Sequence, residues 1–152
     1  GAGTGSVSVE MALRAWKGQV YAIEKKEDAL ALLKENRRKF ATDNLEIVSG
    51  TAPEAMVELP VPTHAFIGGS SGNMNEIIRL LLDKNPGVRI VINCITLETV
   101  AEAMNAIRDF SLTDVDIVQL SAARSKSIGR YHMMMGENPI YIISCSGRGE
   151  EI

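Results

Sequence analysis

The sequence predicts an α/β protein built on a doubly wound, mostly parallel sheet. Its last strand is expected to run antiparallel, and its first strand to lie ahead of Gly1, outside the sequence. Three observations carry this prediction. Short β-branched runs alternate with helical stretches along the chain, the pattern of strand–helix–strand units that pack into a parallel sheet. The last two runs, DIVQLSAA (116–123) and IYIISC (140–145), have no helix between them, so they are expected to pair antiparallel. The chain opens on a glycine-rich turn, GAGTG (1–5), of the kind that joins the first strand of such a sheet to its first helix.

The turn leads directly into an amphipathic stretch through Met11 and Trp16, the first expected helix. QVYAIE (19–24) is the next strand, and Trp16 and Tyr21 read as packing residues. In KKEDALALLKENRRKFA, Leu30, Leu33, Arg37 and Phe40 recur at helical spacing beside Ala29 and Leu32. The RRKF end of that stretch (37–40) places cations where the helix dipole favours them. LEIVSG (45–50) is a strand, and THAFIGG (63–69) another after the break at Pro60, Val61 and Pro62. His64, at the edge of that apolar run, reads as structural. A helix then carries Ile77, Ile78, Leu81 and Leu82 on one face and stops before Pro86 and Gly87. RIVINC (89–94) is nearly all apolar, as a strand covered on both faces should be. Thr96 is the expected N-cap of a helix through Val100, Met104 and Ile107. No repeat, low-complexity tract or linker divides the chain, so residues 1–152 are expected to form one domain.

Composition narrows the function classes. The chain has 152 residues, of which 45% are hydrophobic and 23% charged, enough for a sizeable core. A net charge of −3 supplies no electrostatic footprint for nucleic acid. No apolar run approaches the roughly 18 residues of a membrane span, and no signal-peptide pattern is present, so a cytoplasmic protein without a membrane partner is expected. Cys94 and Cys145 end apolar runs and read as buried thiols of a reducing compartment. The residues suggest no metal site.

The chemistry centres on the glycine turn. Glycine lets the backbone approach a ligand closely, and the start of the following helix offers N–H groups to an anionic moiety. Glu24 ends the next strand, 19 residues after Gly5, a spacing that suits a carboxylate accepting ribose hydroxyls. Together these features point to a nucleoside site. The dinucleotide fingerprint GxGxxG would need glycine at position 6, where this chain has Ser6. The compact GxGxG form resembles motif I of the S-adenosylmethionine-dependent methyltransferases, whose seven-stranded Rossmann-like sheet also ends on an antiparallel strand.

The resemblance extends over essentially the whole chain. IVSGTAPEAM, HAFIGGSSGNMNEII and ARSKSIGRYHMMMGENPIYIISC together look like the decarboxylating precorrin methyltransferases of cobalamin biosynthesis, either free-standing or as the carboxyl-terminal half of a fused enzyme. GGSSGN is the most telling piece, because many methyltransferases carry an acidic or Asn-Pro-Pro motif there. The resemblance implies methylation of carbon 15 of a tetrapyrrole with loss of carbon dioxide from an acetate side chain, S-adenosylmethionine as methyl donor, and a homotetramer. It implies that Gly1, Ala2, Gly3, Thr4, Gly5, Glu24, Ala52 and Gly68 bind the cofactor, with Ala52 beside the adenine. Gly69, Ser70, Ser71 and Asn73 would face the substrate, although these polar residues also suit the cap of the helix that begins near Asn73.

The stretch between the last two strands carries Arg124, Lys126, Arg130 and His132. It reads as a loop too long for a tight hairpin. A precorrin presents many carboxylates, so the first three of these cations are expected to clamp it. Met133, Met134 and Met135 would offer the ring a soft apolar surface, or form a subunit contact. Decarboxylation needs a proton donor, for which Tyr131 and His132 are the candidates. Three alternatives remain open: an RNA or protein methyltransferase sharing the cofactor half, a nicotinamide-dependent oxidoreductase, and a module that binds a nucleoside without chemistry. The strand expected ahead of Gly1 would sit at the centre of the sheet and bring with it the acid usually found before motif I.

Overall fold

The computed structural model describes residues 1–149. In chain order its helices and strands are α1 (Ser6–Arg14), β1 (Val20–Glu24), α2 (Glu27–Lys39), β2 (Leu45–Ser49), β3 (His64–Ile67), α3 (Met74–Lys84), β4 (Arg89–Cys94), α4 (Leu97–Asp109), β5 (Thr113–Leu120), β6 (Ala123–Ile128), β7 (Tyr131–Gly136) and β8 (Ile140–Ser146). The described residues divide into two compact units, one of Gly1–Val61 with Ser70–Leu80, the other of Pro62–Gly69 with residues 81–149.

In the first unit β1 and β2 pair in parallel, from Val20 opposite Leu45 to Glu24 opposite Ser49. Val9, Ala12, Val20, Ala22, Leu33 and Leu45 form its core. α1 contributes Val9 and Ala12, three positions apart on one face. Asn44 ties down the end of this helix and the turn after it, with Nδ2 2.9 Å from the carbonyl oxygens of Ala12 and of the cap residue Ala15, and 3.1 Å from that of Gly18. α2 carries Glu27 and Asp28 in its first turn and Arg37, Arg38 and Lys39 in its last, the charge order that complements its dipole.

The second unit holds a mixed sheet of four strands in the order β3-β4-β8-β5. β3 and β4 are parallel. β8 runs antiparallel to both β4 and β5, as the missing crossover helix predicts. Ile90, Ile92 and Cys94 alternate inward on β4, opposite Cys145, Ile143 and Tyr141 of β8, and all but Tyr141 of these six are fully buried. α4 packs on this sheet through Ala103 and Ala106, and Thr96 caps it by accepting from the Thr99 N–H at 3.2 Å.

Four expectations need correction. The expected single seven-stranded sheet is not what the described residues form. The ladders of β1 and β2 close on each other, β3 pairs with β4, and β6 with β7, giving sheets of two, four and two strands. β5 begins and ends three residues earlier than the apolar run suggested, because Thr113 pairs with Ser146 and a bulge follows before Asp116. The supposed loop from Arg124 onward is itself a hairpin of β6 and β7. Gly129, with φ +62°, opens its two-residue turn, where a tight hairpin requires a residue that tolerates positive φ. Trp16 is 73% exposed rather than packed, with the Lys17 ammonium 4.4 Å above its ring.

Candidate functional site

The glycine turn is held from several directions within the first unit. The Ala2 N–H donates to the Ile23 carbonyl at 2.9 Å, and the Gly5 N–H closes the turn on the Ala2 carbonyl at 3.0 Å. Gly3 and Gly5 both have positive φ, +57° and +84°, where a side chain is strained. At Gly5 a Cβ would also run into the Leu33 side chain. Helix α1 starts immediately afterwards, its first internal bond running from the Val9 N–H to the Gly5 carbonyl. The N–H groups of Ser6, Val7 and Ser8 therefore lie ahead of the hydrogen-bonded ladder, where a helix start presents donors to an anion.

Glu24 lies against this turn at the carboxyl end of β1 and is buried, with 6% of its surface exposed. Its Oε2 accepts from the Gly3 N–H at 2.8 Å, and its Oε1 from the N–H groups of Lys25 at 2.9 Å and Lys26 at 3.0 Å. Burial pushes its pKa up, but the three backbone donors of Lys26, Gly3 and Lys25 outweigh it and hold the carboxyl below its ordinary value. A carboxylate has about four acceptor positions. The three N–H groups leave Oε2 able to accept one more donor, such as a hydroxyl.

Ala52 and Asn73 also meet in this unit, with Asn73 Nδ2 3.4 Å from the Ala52 carbonyl oxygen. Asn73 stands at the cap position of α3, its carbonyl accepting the Ile77 N–H at 3.0 Å. Its side-chain NH2 reaches the Ala52 loop. Ser70 is buried, Ser71 is exposed with φ +51°, and the Ser70 carbonyl accepts the Asn73 N–H at 2.9 Å.

In the second unit Gly68 and Gly69 follow the end of β3. The hairpin sorts its residues by face. Arg124 pairs with Met135, Lys126 with Met133 and Ile128 with Tyr131, and alternation places these six on one face. Ser125, Ser127, His132 and Met134 take the other. Tyr131 and His132 thus point in opposite directions. Arg130, in the turn, stacks 5.4 Å from the Tyr131 ring and directs its guanidinium to the Tyr131 Oη, 3.3 Å from the nearer nitrogen. Arg124 meets Glu137 at 3.6 Å in an exposed pair that is worth at most about 1 kcal/mol. His64 is exposed, its Nδ1 3.1 Å from the Thr63 Oγ1.

One residue at the turn escaped the sequence reading. Asn36 of α2 donates from Nδ2 to the Thr4 carbonyl at 2.9 Å. The available signal was an asparagine, a poor helix former, inside a run of stronger ones.

Comparison with known proteins agrees with this architecture. The sequence model of the precorrin methyltransferase domain matches residues 1–146. The chain is 39% identical over 145 residues to the probable cobalt-precorrin-6B C(15)-methyltransferase (decarboxylating) of Methanothermobacter thermautotrophicus, an alignment that covers 94% of this chain and 74% of that protein. It is 37% identical over 146 residues to the Salmonella typhimurium enzyme of that description, covering 95% of this chain and 75% of the other. Among solved structures, the precorrin-6Y C5,15-methyltransferase of Geobacter metallireducens superposes with a TM-score of 0.87 at 33% identity, over 96% of this chain and 77% of that one. A SAM-dependent O-methyltransferase of Thermotoga maritima, at 16% identity and a TM-score of 0.75 over 100% of this chain and 59% of its own, shares the Rossmann-like fold. The chain belongs to the precorrin methyltransferase family.

Proposed function

We propose that this chain transfers a methyl group from S-adenosylmethionine to carbon 15 of a precorrin-type tetrapyrrole and removes carbon dioxide from an acetate side chain of the same ring. The observation that carries the cofactor reading is the contact between Glu24 and Gly3. It ties the acid at the end of β1 to the glycine turn and leaves Oε2 able to accept a ribose hydroxyl, while the start of α1 offers N–H groups to a carboxylate. These residues fit the donor, whose sulfonium supplies an electrophilic methyl. Ala2 and Thr4 complete the turn and Ala52 leaves room for a flat base; Gly68 is assigned to the cofactor by the family resemblance.

The chain's own part in the reaction is to position and to shield. Holding two reactants in line is worth roughly 7–11 kcal/mol, and a reduced tetrapyrrole carbon is nucleophilic enough without a strong base. With the donor bound, its sulfonium would supply the methyl to the ring carbon; the acetate carboxyl would depart as carbon dioxide, the carbon it leaves would take up a proton, and the methylated carbon would give one up, so that the two proton movements cancel. On the family resemblance, Arg124, Lys126 and Arg130 are assigned to the carboxylates that remain, Met133 and Met135, on the face that Arg124 and Lys126 share, to the ring, and Gly69, Ser70, Ser71 and Asn73 to the substrate. Of the two proton donors, Tyr131 is favoured. Its oxygen accepts from Arg130, which leaves its O–H free to donate.

Apolar surface outside these residues supports a homo-oligomer, a tetramer on the family resemblance. β5 is an edge strand of its sheet and exposes Val115, Ile117, Val118 and Leu120, while the hairpin exposes Met134 on the face opposite Arg124 and Lys126. Apolar edges of this extent are normally covered.

Calorimetry with S-adenosylhomocysteine and, separately, NAD tests the cofactor reading; binding of NAD in preference would overturn it. Incubation with S-adenosylmethionine and cobalt-precorrin-6B, or its metal-free counterpart, should yield a product with one methyl gained and one carbon dioxide lost. A product methylated without decarboxylation would remove the second half of the assignment.

A further inference from the structure

We infer that Asn36 is a positioning residue that sets the electrostatic sign of the glycine turn, and through it the turn's acceptance of a ligand carboxylate. The inference rests on the cofactor reading above. A turn that receives an anion must show N–H groups and turn its carbonyls away. Three of its carbonyls are engaged: that of Ala2 by the Gly5 N–H, that of Gly5 by the Val9 N–H, and that of Thr4 by Asn36 Nδ2. The first two are backbone bonds that no substitution of a side chain removes. The Thr4 carbonyl alone is held by a side chain, brought from 32 residues away on α2.

That carbonyl belongs to the peptide joining Thr4 to Gly5, whose N–H end is fixed by the bond to the Ala2 carbonyl. Asn36 holds the other end, and Gly5, lacking a Cβ, opposes a tilt of the plane about the Ala2 bond only weakly. Without Asn36 the carbonyl end can tilt towards the N–H groups of Ser6, Val7 and Ser8 and oppose the anion they would receive. Asn36 stands well placed to prevent this. It projects from the second half of α2, one turn beyond Leu33. Leu33 is fully buried, and its side chain fills the space beside Gly5 that a Cβ would take. Leu33 sets the height of the turn and Asn36 its orientation.

The test uses two ligands that differ in the moiety concerned. S-adenosylhomocysteine carries an amino-acid carboxylate; 5′-methylthioadenosine keeps the adenosine and the sulfur but lacks it. In Asn36→Ala, calorimetry should show S-adenosylhomocysteine weakened by about 3- to 10-fold, the worth of one neutral hydrogen bond, with methylthioadenosine unchanged within twofold. Asn36→Asp, which sets an oxygen against the Thr4 carbonyl, should lose more of the first ligand and again spare the second. Thermal melts should stay within about 2 °C of wild type, as expected for a partly exposed helix position. Equal weakening of both ligands, or no weakening of either, would overturn the role of Asn36. Failure of the wild-type protein to bind S-adenosylhomocysteine would instead overturn the cofactor reading, and the Asn36 assignment with it.

Discussion

Glu24 answers three backbone N–H groups with two oxygens, so it serves the fold as well as any ligand. Because its pKa is lowered on folding, its charged form contributes stability that is fully present above the ordinary glutamate value of about 4.3. That stability is lost as pH falls below this value towards the lowered pKa. Thermal melts from about pH 7 to 3 should therefore fall more steeply for wild type than for Glu24→Gln; parallel curves would remove the carboxylate from this account. At neutral pH the glutamine variant sets an NH2 against a backbone N–H and should melt about 5–10 °C lower, while weakening S-adenosylhomocysteine roughly 10- to 150-fold. Gly5 is the other residue with no substitute. Alanine there meets both a positive φ and the Leu33 side chain. Gly5→Ala should cost about 1–2 kcal/mol for the dihedral alone and more for the overlap, read as a fall in melting temperature of about 3–8 °C.

Between residue and molecule, the hairpin of β6 and β7 is the element most open to test. Its cations are exposed; among the described residues Arg124 makes a weak surface pair with Glu137 and Arg130 turns its guanidinium to the Tyr131 Oη, contacts that a substrate carboxylate can displace. Replacing Arg124 and Arg130 together with alanine should raise the KM for the tetrapyrrole by roughly tenfold or more and leave S-adenosylhomocysteine affinity unchanged. Equal losses for both ligands would point to misfolding and end the clamp proposal. Strands β4 and β8 offer a contrasting case. The Cys94 and Cys145 thiols are buried, and burial pushes both pKa values up. Neither should react with a thiol reagent at pH 8 in the native protein, and both should react once guanidinium unfolds it. Rapid native labelling would show that the sheet opens at this level.

On the scale of the whole molecule, the exposed apolar residues of β5 and the hairpin predict self-association. Light scattering should return a multiple of the 16.5 kDa chain mass. Val118→Asp combined with Met134→Glu, both outside the cores, should shift the mass towards the single chain without lowering S-adenosylhomocysteine affinity. A monomeric wild-type protein at micromolar concentration would refute the association.

What the sequence determined by itself was local. Hydrophobic period and cap chemistry mark the four α-helices and six of the eight strands of the described residues, because the 3.6- and 2-residue repeats and the Thr96 cap are properties of neighbouring residues. The absence of a helix before IYIISC was enough to set the antiparallel direction of β8. The spacing of the glycine turn and Glu24 was likewise readable, since one loop and one strand end define it. Contacts between distant residues were not. Asn36 reaches Thr4, Asn44 gathers the end of α1, and Leu33 fills the space beside Gly5 only because α2 packs across the turn. Nothing in the residues flanking each position records those meetings. The hairpin shows the intermediate case. Gly129 takes the positive φ of its turn, but the stretch reads as a loop because the polar and methionine-rich strands on either side lack the apolar alternation that burial imposes. Their pairing satisfies backbone hydrogen bonds rather than a core, and that only the folded chain decided.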